Sequence, residues 1–113
     1  MRQAGVLAAA GVVALETMIG RLGEDHARAR RLALGLRSIP GLILDPGTPA
    51  TNMVFFDLGP DVKRTAEELA SRLRENGILI AASGARRVRF VTHYWIDDKA
   101  VDRTVAAMAD ALR

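Results

Sequence analysis

A chain of 113 residues, half of them hydrophobic, can bury one small core and has no length for a second. It has no cysteine, which excludes disulfides, thiolate metal sites and a cysteine nucleophile. Its 16 basic and 13 acidic side chains leave a net charge of +3, interspersed along the chain with few aromatics, which argues against a nucleic-acid partner.

The N-terminal end, Arg2 followed by the apolar run Ala4 to Leu15, imitates a signal peptide. Glu16-Thr17-Met18 then stands where a small-x-small cleavage site belongs. The run is shorter than the ~20 apolar residues that cross a bilayer. A buried helix of a soluble, cytoplasmic protein is expected, with no membrane partner. That helix is predicted from Gln3 to about Ile19, weakened by Gly5 and Gly11. Being apolar almost all round, it needs cover on most sides, which a chain this short has difficulty supplying. Gly20 to Gly23 is expected to break or kink it. A second helix, about Arg21 to Arg37, carries Leu22, Ala29, Leu32, Ala33 and Leu36 along one side, and Pro40-Gly41 ends it.

Leu42-Ile43-Leu44 reads as a short strand closed by Asp45-Pro46-Gly47, and Thr51 to Leu58 as a stronger one closed by Gly59-Pro60. Thr65 and Glu68 match a capping box at the start of a helix whose stripe is Ala66, Leu69, Ala70 and Leu73. Asn76-Gly77 ends that helix. Strands are predicted at Ile78–Ala81 and Val88–Thr92. A last helix, capped by Asp97 or Asp98, buries Val101, Val105, Met108 and Leu112. The economical packing of this order is an α+β fold: a small, mostly antiparallel sheet covered by helices on one side.

Arg89 is the foremost candidate for chemistry. With Val88, Phe90 and Thr92 facing the helices, Arg87, Arg89, Val91 and His93 face the other way. An arginine on an open sheet face holds a carboxylate through two parallel charge-assisted hydrogen bonds. Pattern alone favours a solvent-facing strand arginine over that role. His93 lies four residues on, roughly 13 Å of strand rise; it can flank a cleft behind the substrate but cannot grip one small group together with Arg89. His26 has no second histidine at ligand spacing and reads as structural or exposed. Scattered carboxylates such as Asp57, Glu67 and Glu68 make no metal motif, and the glycines make no phosphate loop.

Four stretches, in order, resemble one family. They are Met-Arg-Gln-Ala-Gly-Val-Leu-Ala-Ala-Ala-Gly from Met1, Arg-Leu-x-Glu-Asp-His-x-x-Ala-Arg from Arg21, Thr-Asn-Met-Val from Thr51 and Arg-x-Val-Thr-His from Arg89. They are similar to the C-terminal part of the threonine aldolases, fold type I enzymes of the β-eliminating lyase kind that use pyridoxal 5'-phosphate (PLP). The resemblance implies an aldehyde-lyase that cleaves threonine or allo-threonine to glycine and an aldehyde. It implies that Arg89 binds the substrate α-carboxylate, and that Arg2 lies near the cofactor phosphate. It also implies a cofactor domain N-terminal to this chain, supplying the Schiff-base lysine, and a homo-oligomer, dimer or tetramer. The two lysines here, Lys63 and Lys99, are not in a matching context, so no catalytic residue is nominated and the isolated chain is expected to be inactive. Residues 1–19 are expected to link to that cofactor domain, and residues 20–113 to form the C-terminal small domain. Two alternatives stay open: a non-catalytic binding or dimerisation module, and the small domain of another PLP enzyme such as an aminotransferase or β-eliminating lyase.

Overall fold

A computed structural model describes residues 2–113. The N-terminal third is one continuous helical run. Helix α1 (Ala4–Val13) passes through a wide π turn (Ala14–Met18) and a tight 3-10 turn (Ile19–Arg21) into α2 (Leu22–Arg37). The break expected at Gly20–Gly23 is therefore a change of winding. Neither glycine takes a positive φ, so both keep helical backbone at the cost of ~1 kcal/mol each.

Helix α1 is uncovered. Every residue from Arg2 to Thr17 is exposed, with Val6 at 74% and Leu15 at 69%. A chain this short was expected to have difficulty covering it, and none of the described residues does so: α1 extends the molecule to 50 Å against 29 and 26 Å in the other directions. The run Ala4–Arg37, at 34 residues, is also longer than the apolar stretch read from the sequence; by length and composition it contains a window able to cross a membrane.

The sheet has four antiparallel strands in the order β1-β2-β4-β3: β1 (Leu42–Leu44), β2 (Met53–Leu58), β3 (Ala81–Ala82) and β4 (Arg87–Val91). Val54, Phe56 and Leu58 of β2 and Val88 and Phe90 of β4 point to the helices and are buried. They meet Leu32 and Leu36 of α2, Leu69 and Leu73 of α3 (Ala66–Glu75) and Val101 and Met108 of α4 (Asp98–Ala111) in a single core. Each fully buried large side chain there contributes roughly 1.5–3 kcal/mol. Gly35 lets α2 approach α4 closely, since a Cβ at that position would sit 2.5 Å from Val105 Cγ2.

The helix starts follow the sequence. Glu68 N–H donates to Thr65 Oγ1 at 3.2 Å while Thr65 N–H donates to Glu68 Oε2 at 2.8 Å, the reciprocal pair expected of a capping box. Asp97 Oδ1 accepts from Ala100 N–H at 2.8 Å. Strand β3 is shorter than expected. Gly77 leaves α3 with φ +73, and the Ile78 amide then donates to Leu73 O, so the chain is held to the helix end and joins the sheet only at Ala81.

One buried polar link ties β4 to α2. Thr92 is 1% exposed, and its hydroxyl donates 2.7 Å to Asp25 O in the first turn of α2. Asp25 itself is 3% exposed and takes a bidentate ion pair from Arg21, whose guanidinium lies 5.1 Å from the Tyr94 ring centre.

Candidate active-site face

Among the described residues, no helix packs on the second face of the sheet. The alternation of β2 and β4 puts Met53, Phe55 and Asp57 there beside Val91, Arg89 and Arg87, their respective partners in the register. Two guanidiniums thus project from one strand face, and their surroundings differ completely.

Arg87 is held by two carboxylates. Its Nη1 donates to Asp45 Oδ1 at 2.6 Å and to Asp57 Oδ2 at 2.9 Å, its Nη2 donates to Asp45 Oδ2, and its Cζ stands 5.4 Å from the Phe55 ring centre. The hydrogen bond from Arg87 is the main reason the Asp45 carboxyl is held below the usual carboxylate range. The hydrogen bonds to Asp45 and then Asp57 raise the Arg87 guanidinium above its ordinary value, against the opposing effect of desolvation.

Arg89 is different. It forms no ion pair among the described residues, and its Nε is closed off from solvent without any hydrogen-bond acceptor. A buried N–H left unpaired costs about 1–3 kcal/mol, so such a group in a folded chain calls for an explanation. It is the side chain that the sequence singled out.

The other nominated residues are not gathered around it. His93 lies beyond the end of β4, exposed, with Nδ1 accepting from Trp95 N–H at 3.4 Å. It lines a groove of about 280 Å³ with Leu79, Phe90, Ile96 and Val101, and Arg89 is not part of that wall. Arg2 is exposed just before α1, and Met1 lies outside the described residues. Lys63, in the loop before α3, and Lys99, in the first turn of α4, are exposed. No cluster of three or more His, Asp or Glu able to hold a metal occurs among the described residues.

The sequence reading missed Asp45 and the role of Asp57. Asp57 follows Phe55 by two in β2 and so shares its face; the antiparallel register then sets it against Arg87. Alternation alone gave the first half of that inference, while the pairing register came only from the fold. Asp25 gave no signal in the sequence, because its burial depends on the return of the chain after β4 against α2.

The model of the beta-eliminating lyase family matches residues 1–59, just over half of the chain. This chain belongs to the beta-eliminating lyase family. Among curated relatives, this chain is 38% identical over 112 residues to low-specificity L-threonine aldolase 1 of Arabidopsis thaliana. That match takes in 99% of this chain and 31% of the relative. The low specificity L-threonine aldolase of Escherichia coli K12 is 39% identical over 93 residues, 82% of this chain and 26% of that one. The chain thus spans between about a quarter and a third of the length of these aldolases. Among solved structures, a C-DES mutant with glycine covalently linked to its PLP cofactor superposes with a TM-score of 0.68 at 22% identity, over 80% of this chain and 24% of that one. The α+β architecture of this chain, an antiparallel sheet with helices on one side, is that of the matched portion of fold type I PLP enzymes.

Proposed function

We propose that this chain is the carboxylate-binding small domain of a PLP-dependent, threonine-aldolase-like lyase acting on β-hydroxy-α-amino acids. The observation that carries the reading is the unpartnered Arg89 Nε on an open sheet face, two residues from an arginine that two aspartates already satisfy. A carboxylate accepting from Arg89 removes the cost of that unpaired donor and supplies the charge its strand neighbour has found internally.

The residues present fit the substrate end of the reaction. PLP, when bound, supplies the electron sink that makes cleavage of the Cα–Cβ bond possible. Arg89 orients the substrate: a bidentate grip on the carboxylate fixes rotation about the neighbouring Cα bond, so the scissile bond is presented in one direction. That is a contribution to rate as well as to affinity. Neither lysine of this chain lies beside Arg89 in sequence or register, so the covalent anchor belongs to the cofactor domain that residues 1–19 lead towards, with residues 20–113 as the small domain. We assign Arg2 to the phosphate end of the cofactor, where a guanidinium at a helix start suits an anion. The isolated chain is inactive, and the whole enzyme is a soluble, cytoplasmic homo-oligomer in which α1 is covered by protein.

The test is Arg89→Lys in a protein that joins this domain to its lysine-bearing cofactor domain, assayed for release of glycine from threonine and allo-threonine. Loss of most of the activity is expected; unchanged kinetics would sink the role. A second reading, a binding or dimerisation module without catalysis, draws on the uncovered apolar face of α1. It predicts a stable homodimer of the 113-residue chain by sedimentation.

A further inference from the structure

We propose that Asp45 and Asp57 set the charge selectivity of the open sheet face, by occupying Arg87 so that the face presents one carboxylate site where its strand carries two arginines. The inference rests on the reading of Arg89 as the carboxylate residue.

Arg87 and Arg89 alternate on one strand, so their Cα atoms lie ~7 Å apart with both side chains on the open face. Two guanidiniums so placed form a natural clamp for a short dicarboxylate. The structure closes that option. Asp45 reaches in from the turn after β1 and Asp57 from the neighbouring strand, and both bond Arg87 through its Nη atoms. Phe55 lies against the same guanidinium. The Asp45 and Arg87 side chains are each 34% exposed, so this is a set piece of the face rather than a fully solvated pair.

The charge count gives the consequence. Two arginines and two aspartates sum to zero on this face, so a monocarboxylate at Arg89 leaves it at −1 and a dicarboxylate leaves it at −2. The second carboxylate of a dicarboxylate also meets Asp45 and Asp57 at short range and finds Arg87 taken. With both aspartates made neutral, the same face starts at +2 and a dicarboxylate brings it to zero. Selectivity here comes from an internal competitor for the second arginine, a repulsive element as well as an occupied one. An amino-acid substrate with an uncharged side chain is accepted, and one bearing a side-chain carboxylate is refused.

The experiment measures acetate and succinate binding to the 113-residue chain at low ionic strength, following the Nε–H resonances of Arg87 and Arg89 by NMR. In the parent chain, acetate is expected to shift Arg89 alone, and succinate to bind no more tightly than acetate. In Asp45→Asn/Asp57→Asn, succinate affinity is expected to rise about tenfold or more, with acetate changed less than about threefold, and succinate to shift both arginines. Adding Arg87→Met should remove the gain. A gain that persists without Arg87, or that acetate shares equally, overturns the proposal and leaves only a general field effect. Should the double variant unfold, Asp57→Asn alone, which keeps the Asp45 bonds that tie the turn to β4, must still raise the succinate-to-acetate ratio. No rise there overturns it equally. The Arg89 reading fails separately: acetate binding by the parent chain that survives Arg89→Met refutes it whatever the aspartate variants do.

Discussion

Replacing Thr92 by valine removes one hydroxyl from the junction of β4 and α2 while keeping the shape of the side chain. Thr92 is 1% exposed and its Oγ1 donates 2.7 Å to Asp25 O. A net hydrogen bond contributes ~0.5–1.5 kcal/mol, and a buried acceptor left without a partner costs about 1–3 kcal/mol. The second figure applies only in part, because Asp25 O sits in the first turn of α2 and still receives the helical amide of Ala29. The sum is therefore about 1–2 kcal/mol. Unfolding entropy of ~2.1 cal/mol/K per residue over 113 residues is about 0.24 kcal/mol/K, so the melting point should fall by about 4–8 °C. The assay is a thermal melt followed by circular dichroism, with urea unfolding to show an unchanged m-value. A variant that melts within about 1 °C of the parent refutes the claim that this hydrogen bond fastens the strand carrying Arg89 to the helix beneath it.

Arg89→Leu removes a buried unpaired donor, so the chain should melt at or above the parent temperature; a fall of more than about 4 °C would mean that Arg89 holds the fold together. Gly41→Ala should cost about 1–3 kcal/mol in urea unfolding, because Gly41 has φ +90 and a Cβ would lie 2.6 Å from Val62 Cγ2. Gly47→Ala, also at positive φ but with open space around it, should cost less. Leu7→Asp should leave the stability of the 113-residue chain within about 0.5 kcal/mol, since Leu7 is 65% exposed; a larger loss means that α1 packs on the body. The Asp45 carboxyl is held low in the folded chain, so the Asp45–Arg87 contribution is complete above the unfolded value of ~3.9 and is lost as pH falls through the lower folded value. A carboxyl-carbon titration should place its midpoint below that value and show it rising in Arg87→Met.

Much of the fold was legible because local chemistry and tertiary packing agree. The Thr65–Glu68 cap, the Asp97 cap, the αL residue at Gly77 and the alternation of β4 each follow from a few neighbouring residues. What the sequence concealed depends on distant partners. Gly20 and Gly23 looked like a break, yet nothing there forbids helical backbone, and the chain simply changes its winding. Ile78 looked like strand, but its amide is taken by the end of α3. At the candidate site, the side of the sheet on which Arg89 lies was readable from period-two patterning. That Arg87 is spoken for and Arg89 is not was unreadable, since it depends on Asp45 arriving from the turn after β1 and Asp57 from β2.

Strand β4 divides its work by parity. Val88 and Phe90 pack the core, while Arg87 and Arg89 face outwards. Substitutions at 87 and 89 can therefore retune the site while the core stays intact, so the chemistry of this face is open to change at little cost to folding. A change of length is another matter. Inserting or deleting one residue within β4 without a compensating bulge puts the residues beyond it on the opposite face, driving a guanidinium into the core and Phe90 into water. This stretch of the chain should accordingly tolerate new letters far better than a shifted reading of the same ones.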